Sequence, residues 1–239
     1  MKNINNAFYE ELGDQWLTAT DHPIALLRAE NRLRNPWIAS KLPSSCKILD
    51  MGCGAGFLTR ELSNLGHQVV GVDLSEESLK IARKLDPKTT YLRADVTAVP
   101  FESKSFDAVS AMDLLEHVEN PTAVIQEASR LLKPGGLFFF HTFNRTFLSW
   151  LIVIKGVEWC VKNAPPDMHI HRLFIKPAEL QKICEDLGLK QEEIKGLNVK
   201  VLSKAFWQMV LKRTVPDDLE FVFTDSLKVG YSGFARKLT

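Results

Sequence analysis

From Lys47 to Gly56 the chain reads Lys-Ile-Leu-Asp-Met-Gly-Cys-Gly-Ala-Gly, and no other stretch restricts its fold so tightly. A short apolar run, Ile48-Leu49, ends in Asp50. Glycines follow as Gly52, Gly54 and Gly56, and a helix-like segment starts at Phe57. A second apolar run, Val69-Val70-Gly71-Val72, ends in Asp73. Strand, glycine turn, helix and a second strand closed by an acid make a nucleotide-binding half-fold.

The spacing of the glycines selects among nucleotides. A dinucleotide site needs its third glycine one place later, where it brings a helix N-terminus onto a pyrophosphate. Phe57 stands there instead. S-adenosylmethionine has no phosphate, and a tight glycine turn lets backbone approach it with no Cβ in the way. Asp73 is then placed to accept hydrogen bonds from both ribose hydroxyls. On these residues alone, a left-handed turn followed by an ordinary strand-end acid is an equal reading.

A chain of 239 residues with 45% hydrophobic and 25% charged residues is long enough for one large domain with a real core. Lys plus Arg (30) almost balance Asp plus Glu (29), which argues against a dedicated nucleic-acid binder. Cys46, Cys53, Cys160 and Cys184 are scattered, without a C-x-x-C pair, so a reducing cytosol is expected rather than a disulfide framework or a zinc ribbon. Met1 to Glu10 is polar and has no apolar signal core. No run approaches the ~18 apolar residues of a membrane span.

The first forty-odd residues read as helices, interrupted at Asn35-Pro36. From Lys47 strands and helices alternate: strands at Ile48-Leu49, Gln68 to Val72, Tyr91 to Ala94, Phe106 to Ala111 and Leu137 to His141, and helices at Phe57 to Leu65, after Ser75, and from Pro121 to Leu132. Ser75 and Asn120 are N-caps, with Pro121 at the first helical position. This alternation predicts an α/β, Rossmann-like fold: a mainly parallel seven-stranded sheet with helices on both faces, N-terminal helices, and a lid-like helical insert after strand five. One domain is expected over 1–239: helices to 44, a cofactor-binding core at 45–141, a substrate and lid segment at 142–187, and sheet completion at 188–239. Pro177 to Leu187 reads as a helix, and Leu189 to Ile194 and Ser232 to Arg236 as strands. Asn198 to Lys212 fits neither pattern.

Asp50, Asp73 and Asp95 all close strands, and the ligand crevice of an open α/β sheet lies outside the carboxyl ends of its strands. An acid at the third tip can accept from an adenine amino group while Val96 packs on the ring. The expected cofactor contacts are Asp50, Gly52, Cys53, Gly54, Gly56, Asp73, Leu74, Asp95, Val96 and Met112, with Cys53 a packing residue in the turn rather than a nucleophile.

The order of motifs resembles class I S-adenosylmethionine methyltransferases over roughly residues 45 to 140: Asp50-Met-Gly-Cys-Gly-Ala-Gly56, Asp73, Asp95 with Val99-Pro100-Phe101 and Ser105-Phe106-Asp107, Leu115-Glu116-His117-Val118, and Arg130-Leu131-Leu132-Lys133-Pro134-Gly135-Gly136. Asn144-Arg145, Ser149-Trp150-Leu151, Gly156-Val157-Glu158, His169 and Phe174-Ile175-Lys176-Pro177-Ala178-Glu179-Leu180 narrow it, being similar to the UbiG-type ubiquinone-biosynthesis O-methyltransferase family. The resemblance implies O-methylation of a catechol or hydroquinol ring bearing a polyprenyl tail. The first forty residues and 198–225 match less well. Other readings are methyl transfer to a different small O-, C- or N-acceptor, or a non-catalytic S-adenosylmethionine-binding module. A nucleic-acid amino-methyltransferase would carry Asn/Asp-Pro-Pro-aromatic after strand four, where Asp113-Leu-Leu-Glu116 stands.

Asp113, Glu116 and His117 lie together if their segment is helical, and there they suit Mg2+ or another oxygen-preferring divalent cation. The family pattern places a metal-binding acid-x-x-Glu-His here, with Glu usual where this chain has the shorter Asp113. Without a metal, Glu116 and His117 hold a loop or touch cofactor or substrate. A phenol of pKa near ~10 must ionise for attack, at a cost of roughly 4 kcal/mol at pH 7. His117, with an ordinary pKa of about 6.5, is a candidate base. Arg145 either binds a substrate oxygen, holds the lid or makes a surface ion pair; His169 and His171 are further candidate substrate contacts. Residues 147–161, anchored by Phe147, Trp150 and Trp159, form either an interfacial helix over a greasy tail or a helix packed on the sheet edge. The family resemblance favours the former, a cytoplasmic protein with loose peripheral contact at the inner face of the membrane.

Overall fold

The computed structural model describes residues 5–239; residues 1–4, the start of the polar Met1 to Glu10 stretch, lie outside the described residues. Three helices open the chain: α1 (Phe8–Glu11), α2 (Gln15–Thr18) and α3 (Ile24–Lys41). Then β1 (Lys47–Met51), α4 (Phe57–Asn64), β2 (Gln68–Asp73), α5 (Glu76–Leu85), β3 (Thr90–Arg93), β4 (Phe106–Met112), α6 (Pro121–Leu131) and β5 (Leu132–Phe143) alternate as expected. A helical segment follows without a break, as α7 (Phe147–Ser149), a π-helical stretch Trp150–Gly156 and α8 (Val157–Cys160). The chain ends with α9 (Pro177–Asp186), β6 (Leu189–Val199), α10 (Lys204–Lys212), β7 (Phe221–Thr224) and β8 (Gly230–Lys237).

The strands form one eight-stranded sheet in the order β3-β2-β1-β4-β5-β8-β6-β7. β1 to β5 are parallel, while β8, β6 and β7 run antiparallel to their neighbours. The sheet thus carries one strand more than expected. The extra one, β7, is four residues long and sits at the edge, within the 198–225 stretch that matches the family less well. Strand residues of the centre, such as Leu49, Val109, Phe138 and Phe140, are fully buried. They are covered on one face by α6 and α9, and on the other by α3 and α4 through Trp37, Ile38, Leu58 and Leu62. Burial on both faces explains the continuous apolar runs of these strands.

The expected break at Asn35-Pro36 does not occur, because α3 runs through Pro36. The side chains around the proline are anchored strongly enough to offset its missing donor. Asn35 donates to Glu61 Oε2 at 2.8 Å, Trp37 Nε1 to Glu193 Oε1 at 3.1 Å, and Arg34 ties the helix to Asp113. Among the described residues no helix is long and apolar enough to cross a membrane.

Candidate active site

The tip of β1 and the following bend form a cradle at the carboxyl end of the parallel strands. Gly52, Gly54 and Gly56 all adopt positive φ, between 51° and 74°. Space as well as φ demands glycine at two of them. A Cβ on Gly54 would sit 2.7 Å from the Trp16 ring, and one on Gly56 would sit 2.6 Å from the Tyr91 hydroxyl. Asp73 braces the bend, accepting from the Gly54 and Ser75 amides at 2.9 Å each.

The acids play different parts. Asp50 is buried and committed to the fold: it accepts from Thr59 Oγ1 at 2.6 Å and from Ser110 Oγ at 2.8 Å. Burial outweighs those bonds and raises its carboxyl to about 6. Asp95 is exposed, with one oxygen held by the Thr97 amide and hydroxyl, which lower its pKa. Leu74 is 57% exposed beside it, whereas Val96 and Cys53 are buried. Burial raises the Cys53 thiol well above its ordinary value, in keeping with a packing role. Met112 is half-buried at the tip of β4.

Beside the cradle lies a cavity of about 570 Å3. Its walls are apolar and come from distant parts of the chain: Phe8 and Leu27 from the N-terminal helices, Leu151 and Val153 from the segment after β5, Leu197 from β6, Phe206 and Met209 from α10, and Val229. Its polar groups are mainly Glu30, Asp113, Glu116, His117 and His169. Tyr9 stands between cradle and cavity, with its ring 5.9 Å from Trp16 and 6.0 Å from His117.

The polar groups divide into separate clusters, which corrects the expected helical grouping of Asp113, Glu116 and His117. Asp113 has φ 54° and precedes a short 3-10 turn, Leu115–His117. Its side chain therefore leaves Glu116 and turns to Arg34, which donates to both its oxygens at 2.8 and 2.6 Å. Burial pushes the Asp113 carboxyl up, but Arg34 and then His141 outweigh it and hold it below the ordinary range. Glu30, 3.1 Å from Arg34, is raised to about 8, chiefly by burial.

Glu116 and His117 instead meet His169: one ligand atom of each lies within 4.8 Å of the others. The rings of His117 and His169 are 5.1 Å apart. Both Glu116 oxygens are buried with no well-formed hydrogen bond, only weak help from the Thr142 hydroxyl and its own amide, a costly arrangement that invites a proton, a cation or a substrate. Burial, then Asp113, raises the Glu116 carboxyl to about 8. Burial, against Asp113, lowers His117 to about 4, below the value expected of a free imidazole. Two imidazoles and a carboxylate suit zinc, iron or manganese better than Mg2+.

Arg145 lines neither cradle nor cavity. It donates to the Phe174 carbonyl at 3.2 Å and pairs with Glu179, fastening the strand-five exit to α9. His171, bonded through Nε2 to the Thr146 carbonyl at 2.9 Å, does similar work. Glu30, Arg34 and Tyr9 were missed in the sequence. Only the Glu30 to Arg34 spacing in a helix offered a local signal.

Residues 49–140 match the family model for a methyltransferase domain. The structure of a putative methyltransferase from Bacillus halodurans shares the fold, with a TM-score of 0.64 at 20% identity over 88% of this chain and 100% of that one. Fold, glycine bend and acid-tipped strands define an S-adenosylmethionine-dependent methyltransferase. A ubiquinone biosynthesis O-methyltransferase from Thiobacillus denitrificans is 36% identical over 86% of this chain and 92% of its own. Another, from Xanthomonas axonopodis pv. citri, is 36% identical over 79% of this chain and 81% of its own. The chain belongs to the ubiquinone-biosynthesis O-methyltransferase family.

Proposed function

We propose that this methyltransferase acts on the ring oxygen of a catechol or hydroquinol that carries an isoprenoid tail. The observation behind this reading is the cavity: polar at Glu116, His117 and His169, apolar along the rest of its walls. The ring lies at the polar end, and the tail runs along Leu151, Val153, Phe206 and Met209. The phenol proton passes to His117, whose imidazole is neutral at pH 7, or to Glu116 in its ionised form, which becomes the main form only above about pH 8. The phenolate oxygen then attacks the methyl carbon, the carbon–sulfur bond breaks, and the sulfonium leaves as a neutral thioether. Alignment of oxygen, methyl and sulfur supplies much of the acceleration. A divalent cation fits Glu116, His117 and His169, the Glu116 carboxylate oxygens making no well-formed hydrogen bond. Bound there, it would lower the phenol pKa as a Lewis acid.

A series of catechols with lengthening prenyl tails tests the reading. KM is expected to fall by at least about tenfold per isoprene unit until the cavity is filled, since each buried CH2 contributes roughly 0.8 kcal/mol. A KM independent of tail length would count against the tail site. Chelator treatment followed by restoration with single metals tests the cation. Full turnover in chelator removes that role.

Membrane contact through 147–161 belongs to the same reading, at the inner face of the cytoplasmic membrane. Phe147, Ile152 and Trp159 are exposed there, and Leu202, Trp207 and Leu211 are exposed around α10, which packs against α8. Co-sedimentation with anionic vesicles is expected to weaken when Trp159 and Trp207 are both replaced by serine. Equal sedimentation of that variant and the parent would refute the contact.

A further inference from the structure

We propose that Asn6 is a positioning residue that fixes which ring nitrogen of His117 carries the proton. Asn6 and His117 are joined twice although 111 residues apart. Asn6 Nδ2 donates to the His117 carbonyl at 3.1 Å. A carbonyl oxygen only accepts, so that bond identifies the NH2 end of the amide. Asn6 Oδ1 therefore faces His117 Nδ1, at 3.2 Å. An amide oxygen also only accepts, so Nδ1 must be the nitrogen that donates. In the neutral ring Nε2 is left with a lone pair.

With Nδ1 taken up by Asn6, Nε2 is the nitrogen left to serve the site, and this tautomer keeps its lone pair. Only a lone pair takes a proton from a phenol, and only a lone pair binds a cation; a ligating histidine characteristically donates its other ring N–H to a neighbouring acceptor. With the opposite tautomer, Nε2 would present a hydrogen to either. The segment that carries Asn6 also reaches the cofactor cradle. Trp16 packs on the glycine bend, and Ser78 Oγ donates to the Tyr9 carbonyl at 3.4 Å. The N-terminal residues, one of the two parts of the chain that match the family less well, thereby shape the reacting end of the cavity.

The consequence for turnover rests on the function proposed above; the tautomer does not. Proton–nitrogen correlation spectra of the full chain, 15N-labelled at histidine, read the tautomer directly, with His117 assigned by its absence in His117→Gln. The wild type is expected to show Nδ1 protonated and Nε2 bare. Asn6→Leu is expected to shift the proton towards Nε2 and to lower kcat about 10-fold to 100-fold, the usual range for a group that orients a site histidine. KM for S-adenosylmethionine should not change. Asn6→Asp keeps an acceptor at Nδ1, so the tautomer and most of kcat are expected to survive even though the bond to the His117 carbonyl is lost. A wild-type proton on Nε2, an unchanged tautomer in Asn6→Leu, or equal damage by the two substitutions would overturn the assignment. If the tautomer behaves as expected while no catechol is methylated, the proposed function fails and the role of Asn6 stands.

Discussion

Arg34→Met is expected to lower stability by about 3–5 kcal/mol, the usual cost of removing one partner from a buried ion pair. Arg34 is fully buried, bonded to Asp113 through its two terminal guanidinium nitrogens and paired with Glu30. Glu30, raised to about 8 chiefly by burial, carries little charge at neutral pH. Asp113 is charged: held below its ordinary range by Arg34 and its histidine neighbours, it would be left as a buried charge. Against a typical total of about 5–15 kcal/mol, that loss is large. The double variant Arg34→Met/Asp113→Asn should recover most of it, because deleting both members of a buried pair is often nearly neutral. Urea unfolding of the parent, both single variants and the double variant measures the coupling. A single Arg34→Met variant within about 1 kcal/mol of the parent would show that Asp113 is stabilised by other groups.

This pair also marks where sequence reading stops. The glycine bend is a local pattern, and its three glycines take the positive φ that the bend requires, whereas Asp50 turns inward to Thr59 and Ser110. The caps are local too: Ser75 accepts from the Ser78 amide at 3.1 Å, and Asn120 from the Ala123 amide at 3.2 Å. By contrast, Arg34 and Asp113 are 79 positions apart, and no periodicity announces their meeting. That meeting goes with a left-handed backbone at Asp113 and a short 3-10 turn after it, in place of the helix on which the expected ligand trio depended.

Other departures have the same origin. Pro36 is tolerated in α3 because partners on α4 and β6 hold the residues on either side of it. His169 gains its place from the connector folding back over Phe143 and His117, a contact no spacing encodes. Asn198 to Lys212 resisted assignment because α10 is amphipathic towards a cavity rather than towards the sheet. Met209 and Phe206 line that cavity while Trp207 and Leu211 are exposed. Apolar residues on both sides blur the usual contrast between buried and solvent faces.

Glu116→Gln is expected to lower turnover by about 10²- to 10⁴-fold, the range for loss of a positioned acid–base group, and yet to stabilise the metal-free protein above neutral pH. Both effects follow from one feature, a buried carboxyl whose oxygens make no well-formed hydrogen bond. Burial and the nearby Asp113 raise it to about 8, well above its value in an unfolded chain. Between about 4.5 and 8 the folded protein therefore binds more protons at this group than the unfolded chain does, and its stability falls as pH rises, by roughly 1.4 kcal/mol per pH unit. Glutamine fills the same volume and never ionises, so this slope should vanish in the variant. A residue that serves only the fold behaves oppositely, losing stability when its chemistry is removed. Urea unfolding of parent and variant at intervals from pH 5 to pH 8, beside methyl transfer from labelled S-adenosylmethionine, separates the cases. Full turnover in Glu116→Gln, or stability curves that run parallel with pH, would mean that Glu116 is not the group held ready for the acceptor.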